Sequence, residues 1–207
     1  GGVIICLSRM NKILEIDFKN RTAIVESGAI NLQLSKKIMD YGYIFAPDPS
    51  SQNVSTIGGN AAANAGGSHT LKYGSSVNHI LGLQMVLPDG SIEQFGSKTE
   101  DVNGFDLTGL MIGSEGTLGI ITKLTVKITH LPEGIKTLLA VYDSMSDAAK
   151  SCTEIISSGI IPAAMEIIDH VMLEALKKAF DFKFPENSKA LLIIEIDGIK
   201  EGLQKLG

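Results

Sequence analysis

The chain has 207 residues, 44% hydrophobic and 20% charged, with a formal net charge of −5. That balance describes a globular protein of one or two domains, and no run of about 18 apolar residues offers a transmembrane helix. Scattered Lys and Arg, no Trp and 5% aromatics supply neither a phosphate-tracking basic face nor stacking platforms, which argues against nucleic acid as a partner.

The opening "GGVIICLS" is too short, and lacks the basic flank, for a signal peptide. It reads as a buried strand with no earlier element to pair with, which implies a longer chain upstream. "IKEGLQKLG" at the other end stops inside a helix and implies the same. Cys6 and Cys152 match no metal spacing and read as small buried residues of a cytoplasmic protein. A strand follows over 22–28, then a helix over 32–41. Asn31 is its expected N-cap, Gly42 its stop, and Ile30, Leu34 and Ile38 line one face. Beyond the small-residue run "STIGGNAAANAGGSHTLKYGSS" (55–76), Leu81, Leu83, Met85 and Leu87 alternate into a Pro88-Asp89-Gly90 turn. Asp101 reads as a turn residue. Asp106 caps a short helix that leads through Gly113, Gly116 and Gly119 into a strand over 119–129. From Lys136 the pattern changes. Strands over 137–142, 163–168 and 190–196 alternate with two helices: one with Ala148, Ala149, Cys152, Ile155 and Ile156 on one face, the other over 170–180 with Asp169 as N-cap. Such alternation marks a separate α+β unit. The turn-rich Leu131-Pro132-Glu133-Gly134 divides the chain into domains 1–131 and 135–207.

The run 55–76 has little apolar bulk from which to build a core. Glycine admits close backbone approach, and successive N–H groups form anion-binding concavities. Asn60 and Asn64 add amides, so a flat, polar-edged heterocycle carrying a diphosphate would use every one of these features. A flexible linker or set of turns satisfies the composition equally well. A second segment, "DLTGLMIGSEGTLGIITKLTV", has the same character, and Glu115 stands where packing alone would ask for an apolar residue. Two glycine-rich loops leading into β structure read as two walls of one crevice. Neither is a P-loop or a strand–G-x-G-x-x-G–helix unit.

The segments "PDPSSQNVSTIGGNAAANAGGSHTLKYG", "LPDG" and "GFDLTGLMIGSEGTLGIITKLTVKI", in this order, resemble the FAD-binding domain of the vanillyl-alcohol-oxidase-type flavoproteins. The branch they resemble most is the glycolate oxidase FAD subunit and D-lactate dehydrogenase group, over most of 1–128. The resemblance implies an α+β fold: the second part of a two-subdomain FAD-binding domain, with a mixed or antiparallel sheet and flanking helices, then the start of a ferredoxin-like α+β cap. It implies that Pro47, Asp48 and Ser50 line the flavin and that Thr56, Gly58, Gly59 and Asn60 pass along it. Ala63, Asn64, Gly66 and Gly67 would continue that wall. Glu115, Gly116 and Ile120 would lie at the adenosine half, with Gly119 permitting close approach.

The implied activity is FAD-dependent oxidation of a small 2-hydroxy acid, of the glycolate or D-lactate type, with hydride transfer to a non-covalent flavin. Partner oxidoreductase subunits or an electron acceptor go with it. The alternative is a non-catalytic FAD-binding or assembly subunit. "NAAANAGG" and "FDLTGL" disfavour UDP-sugar reductases and ether-lipid synthases on the same scaffold. His69 is the one histidine to weigh for covalent flavin attachment, and a hydrogen-bonded or exposed imidazole is the preferred reading. Tyr73 either nears the flavin or packs on its own turn. In the family the pyrophosphate loop lies upstream of the matched region and the metal- and substrate-binding histidines and glutamate lie downstream. No catalytic base and no metal site are therefore assigned in these 207 residues, and the stretch alone is expected to be inactive and flavin-free.

Overall fold

A computed structural model describes residues 2–99, 104–180, 184–185 and 187–206; Asp101 lies outside them. The chain forms two compact units, one of Gly1–Gly67 with Tyr73–Leu131, the other of Ser68–Lys72 with Pro132–Gly207.

The first unit is built on a five-stranded antiparallel sheet in the order β1-β2-β6-β4-β5. Its strands are β1 (Ile13–Asp17), β2 (Thr22–Glu26), β4 (Ile80–Val86), β5 (Ile92–Gly96) and β6 (Ile120–Lys127). A small pair, β3 (Tyr43–Ile44) and β7 (Thr129–His130), stands apart. Helices α1 (Asn31–Met39), α2 (Ile57–Ala62) and α4 (Leu107–Met111) punctuate the strands, and the short α3 (Thr70–Tyr73) has its first three residues in the second unit. Strand alternation sets the inner face. Val25, Leu124 and Leu83 stand in one row across the sheet, and Ala23, Val126 and Ile80 in the next. Leu34 and Ile38 of α1 and Ile57 and Ala61 of α2 close over these rows, and all of them are buried. Each fully buried Leu or Ile contributes about 1.5–3 kcal/mol.

Four expectations change here. Residues 2–12 form no strand, and Val3 and Ile4 are 91% and 95% exposed. An apolar run buries itself only against a partner, and this one is held mainly through hydrogen bonds of its backbone: Gly28 N–H donates to Met10 O, Glu26 N–H to Lys12 O, and Lys12 N–H to the Glu26 carboxylate at 2.8 Å. Cys6 is accordingly exposed and Cys152 only half-buried. Asn31 is not the cap of α1, since Ile30 holds that position, and the Asn31 amide reaches instead to Pro47 O. The small-residue run does contribute to the core, because Thr56 caps α2 within it and thereby sets Ile57 and Ala61 against the sheet.

The second unit carries a three-stranded antiparallel sheet in the order β8-β10-β9, from β8 (Gly134–Tyr142), β9 (Ala164–Asp169) and β10 (Ala190–Gly198). Helices α5 (Met145–Ser157), α6 (His170–Ala179) and α7 (Lys200–Leu206) follow its strands. Leu192 and Ile194 of β10 pair with Ala140 and Leu138 of β8, and Cys152, Ile155 and Leu203 pack on that face. Asp169 caps α6 as expected, accepting from Met172 N–H at 2.8 Å. Ala149 and Ile156 of α5 are exposed, so the core stripe of that helix is the narrower set Ala148, Cys152 and Ile155. Among the described residues no helix is long and apolar enough to cross a membrane.

One titration is built into the first unit. His79 is buried at 4% exposure, and its Nε2–H donates to Tyr73 O at 2.8 Å. Burial, more than anything else, lowers its pKa below the ordinary 6.5. The unfolded chain then binds the proton more readily, so stability is fully present above about pH 6.5 and is lost as pH falls through the window beneath it. Urea unfolding should give a smaller free energy at about pH 5 than at about pH 7.5. His79→Gln, which keeps a donor for Tyr73 O, should flatten that difference. An equally steep pH dependence in the variant would show that other groups cause it.

Candidate functional site

The site grows from the first turn of α2. Thr56 Oγ1 accepts from Gly59 N–H at 3.1 Å, which ends the extended segment and starts the helix. Gly58 N–H donates to Ser27 O at 2.8 Å, and a Cβ on Gly58 would sit 2.5 Å from Ser27 Cβ. Glycine there lets α2 lie directly on the end of β2. At the other end of α2, the Ala61 and Ala62 carbonyls accept from Gly113 N–H at 2.9 Å and Glu115 N–H at 3.0 Å. The second glycine-rich segment thus caps the helix formed by the first. Its chain turns through positive φ at Gly113 (81°), Glu115 (50°) and Gly116 (78°). Glu115 contributes its backbone N–H from a conformation that costs a non-glycine residue about 1–2 kcal/mol.

Between these segments lies a cavity of about 380 Å³. Ser27, Gly28, Thr56, Gly58, Gly59 and Ala62 form one side, and Ser114, Gly116, Gly119, Ile120 and Ile121 the other. Ile5, Leu7 and Ser8 complete the rim. Among the described residues no charged side chain lines it. Ser27 Oγ and Ser114 Oγ are buried there without a hydrogen-bond partner among the described residues. Buried hydroxyls are ordinarily satisfied, so this lining fits a ligand with a flat apolar body and polar edges. Near the rim the exposed Cys6 Sγ lies 3.2 Å from Ser8 Oγ, and that hydrogen bond lowers the thiol pKa.

Six of the residues singled out in the sequence line this cavity: Thr56, Gly58, Gly59, Gly116, Gly119 and Ile120. The others do not. Asn60 is buried with Nδ2 unpartnered among the described residues. Ala63 follows α2 as its C-cap. Asn64 holds φ 47° and accepts from Ser75 Oγ and Val77 N–H, both at 3.0 Å. Pro47, Asp48 and Ser50 belong to the loop before α2, and Gly67 lies against Asp48, where a Cβ would come within 2.4 Å of the Asp48 carbonyl oxygen. Glycine at 67 is therefore explained by protein backbone. The sequence reading missed Ser27, Gly28, Ala62, Ser114, Ile121 and the rim residues Ile5, Leu7 and Ser8. Ser27-Gly28 closes the strand "TAIVESG" and carried a readable signal; the rim carried none.

His69 Nε2 lies 2.7 Å from Glu195 Oε1, and Lys72 Nζ bonds the Asp197 carboxylate and, at 3.1 Å, its carbonyl, all within the second unit. The imidazole is thus hydrogen-bonded to a carboxylate. Tyr73 offers its carbonyl to His79.

Comparison with known proteins decides the family. The family described as FAD binding domain matches residues 1–96, and that described as FAD linked oxidases, C-terminal domain, matches residues 131–205. The chain belongs to the FAD-linked oxidases. Its cofactor is FAD. Glycolate oxidase subunit GlcD of Bacillus subtilis (strain 168) is 43% identical over 99% of this chain and 44% of the relative. GlcD of Escherichia coli (strain K12) is 39% identical over 99% of this chain and 41% of its own length. D-lactate dehydrogenase of Anaerostipes hadrus is 34% identical over 97% of this chain and 44% of its own. The chain therefore spans less than half the length of these relatives. Among solved structures, alkyldihydroxyacetonephosphate synthase is similar with a TM-score of 0.80 and 26% identity, over 96% of this chain and 38% of that one.

Proposed function

We propose that the cavity between α2 and 114–121 receives a flat portion of FAD, and that the intact protein oxidises a small 2-hydroxy acid of the glycolate or D-lactate type. The carrying observation is the cavity walled by Gly58, Gly59, Gly116 and Gly119, whose lining residues Ser27 and Ser114 carry buried hydroxyls with no hydrogen-bond partner among the described residues. When bound, the flavin supplies the hydride acceptor. The protein's own part is to orient it. Gly59 and Gly116 admit it closely, Ile120 and Ile121 exclude water from its face, and the serine hydroxyls bond its polar edge. Pro47, Asp48, Ser50, Asn60, Ala63, Asn64, Gly66, Gly67 and Glu115 form the surrounding shell in this reading, some as contacts and some as supports.

Residues 1–131 form the FAD-binding domain and 135–207 the start of the substrate-binding cap. The chain's division between Leu131 and Pro132 and the two family matches support that assignment. Identity of 43% to a GlcD subunit, against 26% to the alkyldihydroxyacetonephosphate synthase, supports a hydroxy acid over an ether-lipid precursor. The word "subunit" in the GlcD name supports partner oxidoreductase subunits, and the location proposed is cytoplasmic.

The test is anaerobic addition of glycolate or D-lactate to the FAD-loaded intact protein. Bleaching of the flavin's visible absorption by either acid is expected. An unchanged spectrum with both, in protein that holds FAD, would favour the non-catalytic subunit. The flavin is also expected to be non-covalent, because no histidine is among the described residues that line the cavity. Acid precipitation should leave the yellow colour in the supernatant, and flavin fluorescence migrating with the denatured chain would contradict it.

A further inference from the structure

We propose that Asn31 is a positioning residue for the cofactor site, fixing both ends of the loop between Pro47 and Ser55. The inference rests on the FAD reading above and goes beyond it by naming what holds the site's outer segment.

Asn31 is fully buried as the first residue of α1. Its side-chain Nδ2 donates to Pro47 O at 2.9 Å, where the loop begins. Its backbone N–H donates to Ser55 O at 3.0 Å, where the loop ends, and the neighbouring Leu32 N–H donates to Gln52 O at 3.0 Å. One residue therefore ties the chain at both feet of the loop. Within the loop the backbone forms local turns: Gln52 N–H donates to Pro49 O, and Val54 and Ser55 N–H to Ser51 O. Turns of that kind shape a loop without setting where its ends stand. Immediately beyond Ser55 comes Thr56, which caps α2 and lines the cavity. Across the loop's start, Gly67 lies against the Asp48 backbone. The position of Asn31 is thus transmitted to both segments that the FAD reading places around the cofactor.

Packing does not explain this side chain. Asn31 Oδ1 has no partner among the described residues, and an apolar residue would avoid that burden in a buried place. The N–H donor is the feature that serves a purpose. Aspartate has the same shape but turns an acceptor toward the Pro47 carbonyl; serine is too short to reach it. Ser35, one turn further along α1, supplies the contrast. Its hydroxyl lies 3.3 Å from Phe45 N and 3.4 Å from Phe45 O, so it holds the backbone ahead of the loop and neither foot of it.

The experiment measures FAD dissociation constants by fluorescence quenching, with melting temperatures, for the intact protein and for Asn31→Asp, Asn31→Ser and Ser35→Ala. Folded Asn31→Asp and Asn31→Ser should bind FAD at least about tenfold more weakly, with an altered visible circular dichroism of the bound flavin. Ser35→Ala should melt lower yet bind FAD within about twofold of the unsubstituted protein. Asn31→Ser covers the case in which the buried carboxylate prevents folding. An arm free of variants is hydrogen exchange: FAD should slow the Asn31 and Leu32 amides, which donate into the loop, and unchanged exchange there overturns the inference. Equal FAD affinity in Asn31→Ser, or an equal loss in Ser35→Ala, overturns it too while leaving the FAD site standing. Failure of the unsubstituted protein to bind FAD removes both.

Discussion

Gly59→Val in the intact protein is expected to fold and to purify colourless, whereas Gly58→Val is expected not to fold. The two glycines are neighbours of the same composition and differ in what surrounds them. A Cβ on Gly58 would come within 2.5 Å of Ser27 Cβ and 2.7 Å of Ser27 O, and neither can move without shifting β2. Gly59 is exposed toward the cavity, and its Cβ would meet only Thr56 Oγ1, at 3.0 Å. By propensity valine is no worse than glycine inside a helix, where glycine stands about 1 kcal/mol below alanine, so the helix itself tolerates the change. Its branch, however, occupies cavity volume that the proposed ligand needs. Circular dichroism and the flavin absorption of the purified variants separate the effects. Normal flavin content in Gly59→Val would remove FAD from this cavity. Gly67→Val is no equivalent test, because a side chain there strikes the Asp48 backbone first.

Lys72→Met should be a strongly destabilising charge removal in the second unit. Asp197 is 9% exposed, and the Lys72 ammonium bonds both its carboxylate and its carbonyl. Methionine keeps much of the stem and removes the positive charge that faces the buried Asp197 carboxylate. Breaking a buried pair from one side costs about 3–5 kcal/mol, while replacing both partners by apolar residues is often close to neutral. Lys72→Met should therefore unfold at markedly lower denaturant, and adding Asp197→Leu should recover most of the loss. A single variant within about 0.5 kcal/mol of the original would show that the carboxylate is solvated or held by its other contacts.

What the sequence disclosed follows from the range of the interactions. Caps Asp106 and Asp169 were legible because their bonds, to Gly109 N–H and Met172 N–H, lie within one turn. The rows Val25–Leu124–Leu83 were legible as alternating strands, since each strand's pattern is local even though its pairing is not. Asn31 misled because its residue type suits a cap, while its amide is taken by Pro47, far along the chain. The helix α2 was hidden by its glycines, which propensity counts against a helix and which here permit the contact with Ser27. The two glycine-rich walls were legible as a pair. That Ser27 and Ser114 would stand unpartnered between them was not, for an unmet hydroxyl is a property of the assembled cavity.

A crystal structure of the intact protein grown with FAD tests the central claim most directly. The expected result is a planar part of FAD in contact with Gly59 and Gly116, with Ser27 Oγ and Ser114 Oγ hydrogen-bonded to its polar edge. FAD bound elsewhere on the protein, with this cavity holding only solvent, would contradict it.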